Sequence, residues 1–117
     1  MYDYDGVTGT VDERRIFADT SQVGGSPDGA CADADGGVWS CILGPGTVVR
    51  YTVDGQDAAI DVGVELPSDI TFGGPSLDAM FVTTIASNPD PSIARGGQLL
   101  VIADSGYRGV PEPRFRL

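Results

Sequence analysis

The chain has 117 residues, with 17 Asp and Glu against seven Arg, no Lys and no His, for a formal net charge of −10. Nucleic acid and anionic membrane surfaces both require cationic protein surface, so this balance argues against either as a partner. Without His the chain alone cannot build a Ser-His-Asp triad, a Cys-His pair, a His-ligated zinc site or an imidazole base. The length suits one domain over residues 1–117 with a modest core, and 17 Gly with eight Pro suit many tight turns. No apolar run is long enough to cross a bilayer, and no basic start with an apolar core marks a signal peptide. Two Cys without such a signal read as reduced thiols, hence a cytoplasmic protein.

In chain order, Tyr2-Asp3-Tyr4-Asp5 alternates aromatic and acidic residues into an Asp5-Gly6 turn, and Arg14-Arg15-Ile16-Phe17-Ala18 reads as the return strand. The stretch from Pro27 to Ile42 then gives strand, Asp35-Gly36-Gly37 turn and strand, a β-hairpin whose Gly pair supplies positive φ. Cys31 and Cys41 lie on its two arms, but a disulfide directly across neighbouring strands is geometrically demanding, and free thiols are expected. The central unit has four expected strands, at about 29–33, 38–43, 47–53 and 58–64. Pro67 repeats Pro27 at a spacing of 40 residues and opens three more, at about 69–72, 79–85 and 98–103. Val49-Arg50-Tyr51-Thr52-Val53-Asp54-Gly55 echoes the amino-terminal motif, Tyr51 matching Tyr2 and both reading as packing residues between sheets. A polar loop is expected over 86–97, around Asn88-Pro89-Asp90-Pro91, and an edge strand at Arg114-Phe115-Arg116-Leu117. The count is two, four and three strands, without a helical stripe. An all-strand repeat of about 40–50 residues points to β-propeller blades. The fold class is therefore all-β, a partial β-propeller.

Several acidic residues have two readings. Asp28, before Gly29, is either a turn residue bonded to nearby backbone N–H groups or a ligand facing a central channel. Asp33 and Asp35 have the look of a calcium loop, but the later ligands and the terminal Glu are missing, so turn chemistry is expected. Asp69 lies one position past the repeat-equivalent of Asp28, which is Ser68. Trp39 reads as core.

Ser26-Pro27-Asp28-Gly29, followed by Asp33-Ala34-Asp35-Gly36-Gly37-Val38-Trp39, resembles a recurring motif of the regucalcin (senescence marker protein) and gluconolactonase family. So do Gly46-Thr47-Val48-Val49-Arg50-Tyr51, Phe72-Gly73-Gly74-Pro75 with Met80-Phe81-Val82-Thr83, and Gly109-Val110-Pro111-Glu112-Pro113-Arg114-Phe115. The resemblance implies a six-bladed propeller of which this chain carries only the C-terminal part, about two and a half four-stranded blades. It implies metal-dependent hydrolysis of sugar lactones, with a divalent cation (calcium, zinc, magnesium or manganese) in the channel. The family holds that cation with a Glu, an Asn and an Asp. Only the Asp has a counterpart here, Asp28, which by the same resemblance could serve as general base; Asn88 does not fit the Asn position. Such a cation polarises the lactone carbonyl and positions water against it. With one ligand of three, the chain alone is expected to bind metal weakly and to be inactive. The other expectations are a non-catalytic module that self-assembles as a homo-oligomer or is completed by the missing blades, and a cation- or small-ligand-binding domain.

Overall fold

The computed structural model of the chain describes residues 1–86 and 96–113. The expected loop around Asn88 and the edge strand at 114–117 lie outside the described residues. Among the described residues nine strands form three sheets of two, four and three strands, each a simple antiparallel meander. The first sheet pairs β1 (Asp3–Asp5) with β2 (Thr10–Asp12). The second runs β3 (Ser26–Ala32), β4 (Val38–Leu43), β5 (Thr47–Thr52) and β6 (Gly55–Asp61). The third runs β7 (Pro67–Gly73), β8 (Ala79–Thr84) and β9 (Leu99–Ile102). No described helix is long and apolar enough to cross a membrane.

The strand count among the described residues is as expected, but several boundaries move. The return strand of the first sheet is Thr10–Asp12, and 14–18 instead runs on as irregular chain. Strand β6 starts at Gly55, because Thr52 pairs with Gly55 across a tight turn. Strand β3 starts at Ser26, because Ser26 and Pro27 already pair with Leu43 and Ile42. Proline is tolerated there because β3 is an edge strand, where a missing N–H breaks no ladder. Strand β7, also an edge strand, likewise starts on its proline.

Strand β4 is apolar throughout because both its faces are covered. Trp39 and Cys41 point toward the third sheet and share a core with Val48, Val62, Ile70, Met80 and Val82. Ile42, Val49 and Tyr51 point the other way and are covered by Phe17, Ala18 and Val23. Trp39, Met80 and Val82 are fully buried, each contributing on the order of 1.5–3 kcal/mol. Tyr51 therefore packs as expected. Tyr2 does not: it is 56% exposed, because the sheet of β1 and β2 buries no residue in either strand. The radius of gyration is 15.6 Å, against about 13 Å for a compact domain of this length. The second and third sheets stack through β7 against β3, β4 and β5, whereas β1 and β2 contact no strand of either, which lengthens the molecule.

Candidate functional site

Asp28 sits in a β-bulge. Pro27 pairs with Ile42 and Ala30 with Ser40, so β3 carries one residue more than β4 across this step. A bulge re-aims a side chain at a sheet edge, and Asp28 is exposed there. Strand β7 repeats the device: Pro67 pairs with Thr84 and Asp69 with Thr83, leaving Ser68 in the bulge as the counterpart of Asp28. The two edge strands meet at Gly29. A Cβ on Gly29 would lie 2.6 Å from Asp69 Cγ and 2.7 Å from its Cα, so only glycine fits. Asp28 and Asp69 are thereby carried on adjoining strands.

Beside them, a cavity of about 410 Å³ opens between β3, β7 and residues 109–112, lined among others by Cys31, Asp69, Phe72 and Glu112. Asp28 is not part of its wall. Among the described residues no group of three or more His, Cys, Asp or Glu is placed to hold a metal ion. Asp28 is thus an exposed carboxylate at the bulge, outside any such group of donors among the described residues.

Sequence reasoning missed the most highly connected polar group of the fold. Asp33 ends the first arm of the central hairpin, fully buried at its side chain, opposite Arg50, whose side chain is 7% exposed. Asp33 Oδ2 accepts from Arg50 Nε at 2.6 Å and from Trp39 Nε1 at 3.0 Å. Its Oδ1 accepts from Arg50 Nη2 at 3.0 Å and from the N–H groups of Gly37 at 2.9 Å and Asp35 at 3.0 Å. Arg50 Nη1 reaches Asp57 Oδ2 at 2.5 Å, and the guanidinium lies 4.9 Å from the ring centre of Tyr107. Tyr107 in turn meets Trp39 edge to face at 4.9 Å. A Cβ on Gly37 would come within 2.5 Å of Arg50 Nη2, which is why the second glycine of the turn is fixed. Burial pushes the Asp33 carboxyl up, but Arg50 and the two N–H donors outweigh it and hold it below the usual carboxylate range. The turn reading of Asp33 is borne out, with a buried ion pair added. Asp35 is exposed and gives only its N–H to Asp33.

Cys31 and Cys41 are free. They are not opposite one another, since Cys31 faces Trp39 and Cys41 faces Val48. Burial, then the charge of Asp69, pushes the thiols up to about 11 and about 12, with Asp28 adding to Cys41. Neither is an activated nucleophile.

Comparison with known proteins places this geometry. Residues 1–86 match the family model described as the SMP-30/gluconolactonase/LRE-like region. A pentonolactonase of Haloferax volcanii is 38% identical over 98 residues, which is 83% of this chain and 34% of that protein. Regucalcin of Xenopus laevis is 32% identical over 121 residues, covering 97% of this chain and 40% of the relative. A solved regucalcin of Agrobacterium tumefaciens, described as calcium-binding, superposes with a TM-score of 0.86 at 27% identity, covering 99% of this chain and 41% of its own. The chain therefore spans about a third to two-fifths of the length of these relatives, and its three sheets are a partial β-propeller. The chain belongs to the SMP-30/gluconolactonase/LRE-like family.

Proposed function

We propose that residues 1–117 are the C-terminal blades of a sugar-lactone hydrolase that depends on a divalent cation, and that Asp28 gives that cation one carboxylate. The observation that carries this reading is the bulge of β3. It puts an exposed Asp, in the family's Pro-Asp-Gly setting, on the edge strand that adjoins β7. Relatives named as lactonases acting on pentono- and sulfogluconolactones support the substrate class. A relative described as calcium-binding supports the cation. Asp28 is also the proposed proton acceptor. The other ligands belong to blades outside these residues, so the chain alone binds cations weakly and does not turn over lactone. A lone carboxylate leaves most of a coordination shell to water. The proposed setting is the cytoplasm, with neither nucleic acid nor membrane as partner. Calorimetry with calcium and manganese on the chain, Asp28→Ala and Asp35→Ala tests the reading. Weak binding lost only in Asp28→Ala supports it, and equal loss in both variants refutes it.

A second reading, a non-catalytic module that assembles with copies of itself, is favoured by exposed apolar residues on the last sheet, Leu99 at 60% and Val101 at 57%.

A further inference from the structure

A bare sheet edge is a template for another chain, and proteins blunt such edges with charged residues, proline or bulges. Strands β1, β2, β3, β6 and β7, each at an edge of its sheet, all do so. Strands β1 and β2 carry Asp3, Asp5 and Asp12, and β6 carries Asp57 and Asp61. Strands β3 and β7 each carry a proline, an Asp and a bulge. Strand β9 has none of these: it reads Leu99-Leu100-Val101-Ile102 and pairs with β8 without a register shift. No described strand pairs with its other side, whereas β5, at the matching place in the second sheet, is covered there by β6.

Beside this bare edge the core shared by the second and third sheets opens to the surface. Ile60 and Val62 of one sheet and Leu100 and Ile102 of the other line a groove of about 370 Å³ there, and all four pack in that core or against it. Leu99 and Val101, at the alternate positions, are 60% and 57% exposed. The charged residue of the groove is Asp61, which accepts an N–H from Gly63 and has no Arg within ion-pair distance among the described residues. From the bare edge and this groove we infer that β9 accepts a fourth strand from a partner polypeptide: an extended segment, apolar at alternate positions, with a basic residue opposite Asp61. Main-chain hydrogen bonds to the edge supply its affinity, and the side chains that enter the groove supply its selectivity. A second copy of this chain is the poorer occupant. Its own β9 offers Asp61 no basic residue, and each copy carries a formal charge of −10. The inference rests on neither the lactone reading nor the self-assembly reading.

Amide hydrogen exchange of the purified chain, read by nuclear magnetic resonance, tests it with a capped synthetic peptide, Lys-Thr-Val-Thr-Val-Thr-Val-Lys, as the probe. Millimolar peptide is expected to slow exchange at 99–102 by about tenfold and to leave the edges of β3 and β7 unchanged. Val101→Lys, at an exposed position, gives β9 the charge that other edges carry and is expected to abolish the slowing. Asp61→Lys is expected to weaken binding about two- to fivefold. Asp54→Lys, at an exposed turn position and with the same change in net charge, is expected to leave binding unchanged. That pair decides the matter should Val101→Lys fail to fold. The inference is overturned by no slowing at 99–102, by equal slowing at β3 and β7, or by slowing indifferent to both Val101→Lys and Asp61→Lys. A wild-type dimer in light scattering without peptide also overturns it, since a second copy would then hold the edge.

Discussion

Replacing Asp33 by Ala is the sharpest test of what holds the central sheet together. The substitution removes the acceptor of five hydrogen bonds: two from Arg50, one from Trp39 Nε1 and one each from the N–H groups of Asp35 and Gly37. It strands a guanidinium that is 7% exposed, with Asp57, itself 44% exposed, as its remaining anionic partner. Removing one member of a buried pair costs about 3–5 kcal/mol, most of it the penalty of the charge left behind. That is a large share of the roughly 5–15 kcal/mol that holds a domain folded. At about 4 °C per kcal/mol for this size, the melting midpoint falls by about 12–20 °C. The control is Asp35→Ala, whose carboxylate is exposed, with an expected change within about 0.5 kcal/mol. Urea unfolding followed by the emission of Trp39 reads both at one protein concentration. The double variant with Arg50→Ala should cost less than the sum of the single changes, since one truncation already breaks the pair. Equal small losses for Asp33→Ala and Asp35→Ala, or strict additivity with Arg50→Ala, would refute the ion-pair account.

Three further outcomes are expected. The folded Asp33 carboxyl lies below its ordinary 3.8, so the stability it contributes is complete above that pH and is lost as pH falls through the folded value; unfolding at pH 3 and 6 should show an acid loss that Asp33→Asn reduces. With thiols pushed up to about 11 and 12, Cys31 and Cys41 should react slowly with iodoacetamide at pH 8 and readily once unfolded, and equal rates in both states would contradict their burial. Gly29→Ala should destabilise by about 1–3 kcal/mol, because the added methyl meets both the side chain and the Cα of Asp69; Asp69→Ala should recover only part of that loss in urea unfolding.

Much of the fold was legible because its signals are local. The Asp35-Gly36-Gly37 turn and the apolar run from Val38 to Leu43 define a hairpin without any knowledge of what packs on it. Spacing between Pro27 and Pro67 supplied the repeat. Strands β3 and β7 start two or three residues earlier than expected because an edge strand pairs through its proline and a bulge follows it. Tyr2 was misassigned because the repeat match with Tyr51 says nothing of whether a neighbouring strand is present to bury it. The Asp33–Arg50 pair joins residues 17 apart in sequence, on strands that are not neighbours, and becomes visible only once Cys31, Trp39 and Arg50 are known to stand in one register row. One signal was available: Arg50 is the only charge in the run Thr47–Thr52, and a cation in a strand buried on both faces requires a carboxylate. The proximity of Asp69 to Gly29 had no such signal, because it depends on how the second and third sheets stack.

The claim that Asp28 is one ligand of an incomplete site is tested most directly by hydrolysis of gluconolactone by the purified chain, with and without calcium, manganese, magnesium or zinc. The account predicts no turnover above the uncatalysed rate with any of the four, in the chain and in Asp28→Ala alike. Robust turnover that requires a cation and disappears in Asp28→Ala would contradict it.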